Sequence, residues 1–130
     1  MRKILLLIIA LFTFALICDA KVPVDSNADN YTTVKASHIL VNSESRAKAL
    51  KNRIENGESF AQLAKKYSAC PSGEFGGNLG YFERGKMVKE FEDVAFSLPV
   101  GVVSDPVQTD FGWHLIKVYD KRQFFAFALF

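Results

Sequence analysis

The chain has 130 residues, with 16 Lys and Arg against 14 Asp and Glu, for a formal net charge of +2. That length holds one compact domain with its own core. The near balance of charge offers no electrostatic footprint for nucleic acid or an acidic surface, and two His and two Cys without a close ligand pair offer no metal site.

The first twenty residues read as a segment apart. Arg2 and Lys3 open it, Ile4 to Ile17 is an apolar run, and Cys18-Asp19-Ala20 supplies small residues at the spacing of a signal-peptidase site. This predicts a secretory signal peptide over residues 1–20, cleaved after Ala20. The run is shorter than the ~20 residues a membrane-spanning helix needs. A rival reading keeps the protein membrane-tethered, through an uncleaved signal or a lipid on Cys18, although Ile17 is bulky where lipoprotein signals carry a small residue. Cleavage removes Arg2, Lys3 and Asp19 and leaves 14 basic and 13 acidic residues, a net charge of +1. It also leaves Cys70 as the single thiol, which has no internal disulfide partner in a compartment that would permit one. The expected location is extracytoplasmic, such as the periplasm.

Residues 21–30 (KVPVDSNADN) are polar and contain a Pro, and are read as a flexible lead-in. Tyr31 to Val41 alternates and is rich in β-branched residues, a first strand with Val34, Ala36, His38 and Leu40 on one face. Ser43 is placed to cap a helix, with Arg46 where a capping box would put Glu. Ala47, Leu50 and Ile54 mark its buried stripe, and Gly57 ends it. A second helix starts near Glu58 or Ser59 and repeats apolar residues at Phe60, Leu63, Ala64 and Tyr67.

Ser68 to Gly77 is read as loop, and Leu79 to Phe82 as a short strand. Phe91, Val94, Ala95 and Leu98 predict a helix over Lys89 to Ser97, stopped by Pro99 and Gly101. Val107 to Thr109 and Trp113 to Tyr119 are strands joined by the tight turn Asp110-Phe111-Gly112, with His114, Ile116 and Val118 on one face of the last. The order is β-α-α-β-α-β-β. With an antiparallel closing hairpin, that is an α+β fold. Taken singly, His38 and His114 are half-buried histidines of alternating strands. A sheet that pairs the first and last strands would place both rings in one site.

Three segments carry a family likeness: KASHILV (Lys35–Val41), FAQLAKKYSACPSGEFGGNLGYFERGKMVKEFEDVAFSL (Phe60–Leu98) and DPVQTDFGWHLIKV (Asp105–Val118). In order and spacing they resemble the parvulin family of peptidyl-prolyl cis-trans isomerases, over nearly all of Ala36 to Tyr119. The resemblance implies a domain at residues 31–120 with a four-stranded antiparallel sheet surrounded by about four helices. The helix missing from the periodicity would lie in the Cys70–Gly77 region. It implies isomerisation of X-Pro bonds during the folding of exported proteins, without cofactor or metal, by a monomer acting on unfolded or extended proline-containing chains.

By the same resemblance His38 and His114 match the paired histidines of the site, Cys70 the thiol beside the substrate carbonyl, and Thr109 the hydroxyl bonded to the pair. Leu79, Met87, Phe91 and Phe111 match the apolar positions around the proline ring. Gly76, Gly77 and Gly80 then serve the path of the backbone, because GGNLG lacks the Lys-Ser/Thr of a phosphate loop.

The chemistry suits these residues. Rotation about an X-Pro bond breaks amide conjugation against a barrier of roughly 20 kcal/mol. An apolar, water-poor slot disfavours the charge-separated planar amide relative to the twisted one, which is differential binding of the transition state. Cys70 has three readings here: electrostatic, nucleophilic, or a small hydrophobe of the pocket wall. Phe91 fits both the pocket and the core stripe of its helix. The segment Asn42-Ser43-Glu44-Ser45 after the first strand carries no cation, so no phosphorylated residue is expected before the proline. A second function class is a non-catalytic chaperone or peptide-binding module of the cell envelope. Val102 and Asp105 depart from the family pattern in a surface loop. So does the apolar tail in residues 121–130, which fits strand extension, a patch cover, a partner or membrane contact, or an artefact of sequence.

Overall fold

The computed structural model describes residues 21–123. The signal-peptide reading and the apolar stretch 124–130 lie outside the described residues. Four strands, β1 (Thr33–Val41), β2 (Asn78–Glu83), β3 (Val107–Thr109) and β4 (Gly112–Arg122), form one sheet in the order β2-β1-β4-β3, with every pair antiparallel. Three α-helices, α1 (Glu44–Glu55), α2 (Phe60–Tyr67) and α3 (Lys89–Ser97), cover it. The stretch read as loop contains a 3-10 helix at Pro71–Phe75, where the resemblance placed its fourth helix. Pro71 starts it and Gly76, in the left-handed region at φ 72°, ends it, a punctuation that leaves no hydrophobic period to read.

β1 is central, and its two faces pack against different helices. Ile39, Val41 and Leu115 meet Ala47 and Leu50 of α1 and Phe60, Leu63 and Ala64 of α2. On the other face Val34, Ala36, Phe82, Ile116 and Val118 meet Phe91, Ala95 and Phe96 of α3. α1 and α2 begin where Ser43 and Ser59 accept the backbone N–H groups of Arg46 and Gln62, the N-cap geometry.

His38 lies on the α3 side with Val34 and Ala36, by the two-residue alternation of a strand. In the β1–β4 register His38 opposes Ile116 and Leu40 opposes His114. The two histidines are therefore diagonal neighbours on one face, a separation that long or aromatic side chains can span.

Two backbone devices set up the loop beside them. Ser68 Oγ accepts the N–H groups of Leu40 and Cys70, and Leu40 O accepts the Ala69 N–H at 2.8 Å, so the loop is laid along β1. Gly77 passes so close beneath β1 that a Cβ there would overlap the His38 carbonyl oxygen, and its φ is +82°. Only glycine fits both demands.

The lead-in makes contacts of its own. The Asp25 N–H donates to Ser97 O at 2.6 Å, and its carboxylate meets Lys121 Nζ at 2.8 Å. Lys121, whose side chain is only 2% exposed, also donates to Phe96 O and sits over the Tyr31 ring. The Thr32 N–H donates to Arg122 O at 2.9 Å. The last strand runs to Arg122, past the Tyr119 boundary read from sequence, because its charged end is stitched in: Asp120 and Arg122 both bond the Tyr81 hydroxyl. In the surface loop, Asp105 pairs with Lys51 at 2.7 Å and Val102 packs against the α3-side core.

Candidate active site

β1 delivers His38 and β4 delivers His114, only 6% and 5% exposed. Their Nδ1 atoms lie 3.0 Å apart and the rings are within 16° of parallel. Phe91, from α3, meets both rings edge-on, with centroids 5.6 and 5.4 Å away and 82° between planes. It is therefore at once a core residue and the buttress of the pair.

The hydrogen bonds continue outward from both rings. Thr109 Oγ1 lies 2.7 Å from His114 Nε2, and Ser72 Oγ lies 3.1 Å from His38 Nε2. The Ser72 hydroxyl donates to Cys70 Sγ at 3.2 Å, and the Phe111 N–H donates to Thr109 Oγ1. With the Ser72 proton on sulfur, the rest of the chain has one polarity. His38 Nε2–H donates to Ser72 Oγ, His114 Nδ1–H donates to His38 Nδ1, and the Thr109 hydroxyl donates to His114 Nε2. Each imidazole is then neutral with one donor and one acceptor.

Electrostatics agree. Burial, then the neighbouring His114, pushes the His38 pKa down from 6.5 to about 4, and burial lowers that of His114. Both follow the rule that a low-polarity environment disfavours the charged form.

Above the pair lies a cavity of about 530 Å³. Of the residues predicted from sequence, His38, Cys70, Leu79, Met87, Phe91, Phe111 and His114 all line it. Thr109 stands behind His114 and acts on the ring rather than on the cavity. Phe111 is at the rim, 71% exposed. Cys70 is a free, half-buried thiol. Sequence reasoning missed Ser72, the link between Cys70 and His38. Its only signal was a second hydroxyl-bearing position two residues after the thiol. It also missed Lys86 and Val88, wall residues in the stretch between β2 and α3.

A more open groove, of about 600 Å³, lies between Val22 to Val24 and α3, and neither histidine lines it. Among the described residues no group of three His, Cys, Asp or Glu could hold a metal ion, and no helix is long and apolar enough to cross a membrane.

Two neutral imidazoles thus form the floor of an apolar slot, with the Cys70 thiol in its wall. The model of one family, described as Rotamase: PPIC-type PPIASE domain, matches residues 32–120. The chain belongs to the PPIC-type peptidyl-prolyl isomerases, the parvulins. It is 57% identical over 91 residues to the foldase protein PrsA of a Geobacillus species, covering 69% of this chain and 33% of that protein. Among solved structures it resembles the peptidylprolyl isomerase PrsA of Bacillus anthracis, with TM-score 0.70 and 47% identity over 73% of this chain and 45% of that one. It also resembles NmPin, the parvulin of Nitrosopumilus maritimus, with TM-score 0.64 and 48% identity over 68% of this chain and 97% of that one. The chain thus spans about a third of the PrsA relative's length, while its parvulin domain matches nearly all of the archaeal one. The four-stranded antiparallel sheet with its three α-helices is that of a parvulin-like fold.

Proposed function

We propose that this chain accelerates cis-trans isomerisation of X-Pro bonds in exported proteins as they fold. The observation that carries the reading is the neutral His38–His114 pair held beneath a slot lined by Leu79, Met87, Phe91 and Phe111. The proline ring enters the slot, and the imide carbonyl lies over Cys70 and the histidines. As the amide twists, its nitrogen pyramidalises and its carbonyl loses partial charge. The slot's few polar partners favour that state over the planar one.

Cys70 acts non-covalently. Its sulfur accepts from Ser72, and no Lys, Arg, Asp or Glu joins the hydrogen-bonded chain that would draw out a thiolate. Thr109 and Ser72 hold the two rings in complementary tautomers. The substrates are unfolded or extended proline-containing chains, with no demand for phosphate, because the link between β1 and α1 holds no cation. An extracytoplasmic setting is supported by residues 1–20 as a sequence and by the name foldase that the PrsA relatives carry.

The test is magnetisation exchange on short X-Pro peptides. The wild type should raise the exchange rate well above buffer. Phe91→Leu, which keeps an apolar side chain but removes the edge contacts to both imidazoles, should lose most of that gain while still binding peptide. Saturable binding by the wild type without a rate gain would replace the isomerase with a peptide-holding chaperone.

A further inference from the structure

The slot wall is neutral except at one place. Among the described residues, Lys86, in the stretch between β2 and α3, is the only lining residue that carries a charge at neutral pH. It is exposed, and among the described residues it has no ion pair and no side-chain hydrogen bond.

Its neighbours are committed elsewhere. Arg84 donates to Ala28 O and lies over the Phe96 ring. Lys89 pairs with Asp93 at 2.8 Å and feels Glu90 and Glu92. The Glu92 carboxylate accepts the Gly85 N–H, which ties down the turn just before Lys86. Thus the acids of the first turns of α3 hold Lys89 and the loop backbone, and none of them neutralises Lys86.

Direction follows from the site. His38 and Cys70 mark the end where the imide carbonyl lies, and that carbonyl belongs to the residue before the proline. Met87 and Phe91 mark the ring end, from which the peptide continues. Lys86 adjoins Met87 in sequence and lines the same cavity, which puts it at the ring end of the slot.

We infer that Lys86 is a specificity determinant that favours substrates with an acidic residue immediately after the proline. The inference rests on the isomerase reading above and adds a substrate class to it. An ammonium and a carboxylate about 4–6 Å apart at a solvated rim correspond to a preference of about twofold to fivefold. The preference should shrink with salt as the Debye length falls.

The experiment compares peptides differing at one position: Glu or Gln after the proline, and, in a second pair, Glu or Gln before it. For each, kcat/KM comes from magnetisation exchange and Kd from chemical-shift titration, at low and high salt, with wild type, Lys86→Gln and Lys86→Glu. The Glu-to-Gln ratio after the proline should be about two to five in the wild type, near one in Lys86→Gln, and inverted in Lys86→Glu. A wild-type ratio of one, a ratio that survives Lys86→Gln, or an equal gain from Glu before the proline overturns the inference. If the Gln peptide is turned over but shows no charge preference, Lys86 fails and the isomerase stands. If peptides bind without turnover, the isomerase reading fails and the Kd ratios still decide Lys86. If none binds, both are overturned.

Discussion

Acidification is the most direct probe of the neutral histidine pair. His38 has its pKa lowered from 6.5 to about 4 in the folded protein, whereas in the unfolded chain it is free to take its ordinary value. The unfolded state therefore binds the proton first as pH falls, and the folded state is progressively disfavoured below pH 6.5, with the loss levelling off near pH 4. For that single group, linkage gives a loss of about 2 kcal/mol between about pH 7 and about pH 5. His114 shifts in the same direction and adds to it.

The carboxylates with lowered pKa, Asp25, Glu58 and Asp120, lose their stabilising effect at lower pH and barely contribute in that window. Urea unfolding at the two pH values should move the midpoint down by about 1–2 M, taking a slope typical of a small domain. In His38→Asn the movement should be clearly smaller, because one titrating ring is gone. A midpoint that holds steady across the window, or rises on acidification, would refute a buried neutral pair and the hydrogen-bond polarity derived from it.

Other outcomes follow from single contacts. Ser72→Ala breaks the link from His38 to Cys70 and should lower kcat/KM about tenfold in the exchange assay, the worth of one hydrogen bond of this kind; an unaltered kcat/KM would remove Ser72 from the site. Gly77→Ala should unfold or severely destabilise the domain in a thermal melt, since its methyl meets the His38 carbonyl. Gly80→Ala, with similar φ but open space around it, should cost only about 1–2 kcal/mol; equal losses would contradict the close approach. Asp25→Ala should destabilise by about 1–3 kcal/mol in urea, because the enclosed Lys121 ammonium loses its carboxylate. The double variant Asp25→Ala with Lys121→Met should be milder, as neither charge is then left without its partner.

Local pattern carried most of the architecture. Lys89 to Ser97 was readable to the residue because its apolar repeat is followed by Pro99 and Gly101. β1 and β4 were readable because both alternate, and their shared face put His38 and His114 on one site. Where the sequence misled, the cause is tertiary. Pro71 to Phe75 has no hydrophobic period, since its 3-10 turn is fixed by hydrogen bonds of Ser68 and by Gly76 and Gly77.

The end of β4 lies past the alternation of Trp113 to Tyr119, and Asp25, Tyr31 and Tyr81 hold it in the sheet. Polar residues 21–30 give no hint of those contacts, which lie some ninety residues apart in sequence. Ser72 is the same case within the site. A serine in a Pro-Gly loop is common turn chemistry, and only folding shows that it bridges a thiol and an imidazole.

The bond from Thr32 to Arg122 has an architectural consequence. Thr33 and Arg122 face one another in register, so the chain enters and leaves the domain on adjacent strands, only about 5 Å apart. A unit with such close ends can be spliced into a loop of a larger host without prying the host's flanking elements apart. A parvulin domain of this geometry is a cassette, which fits its matching about a third of a foldase in one relative and nearly the whole chain in another.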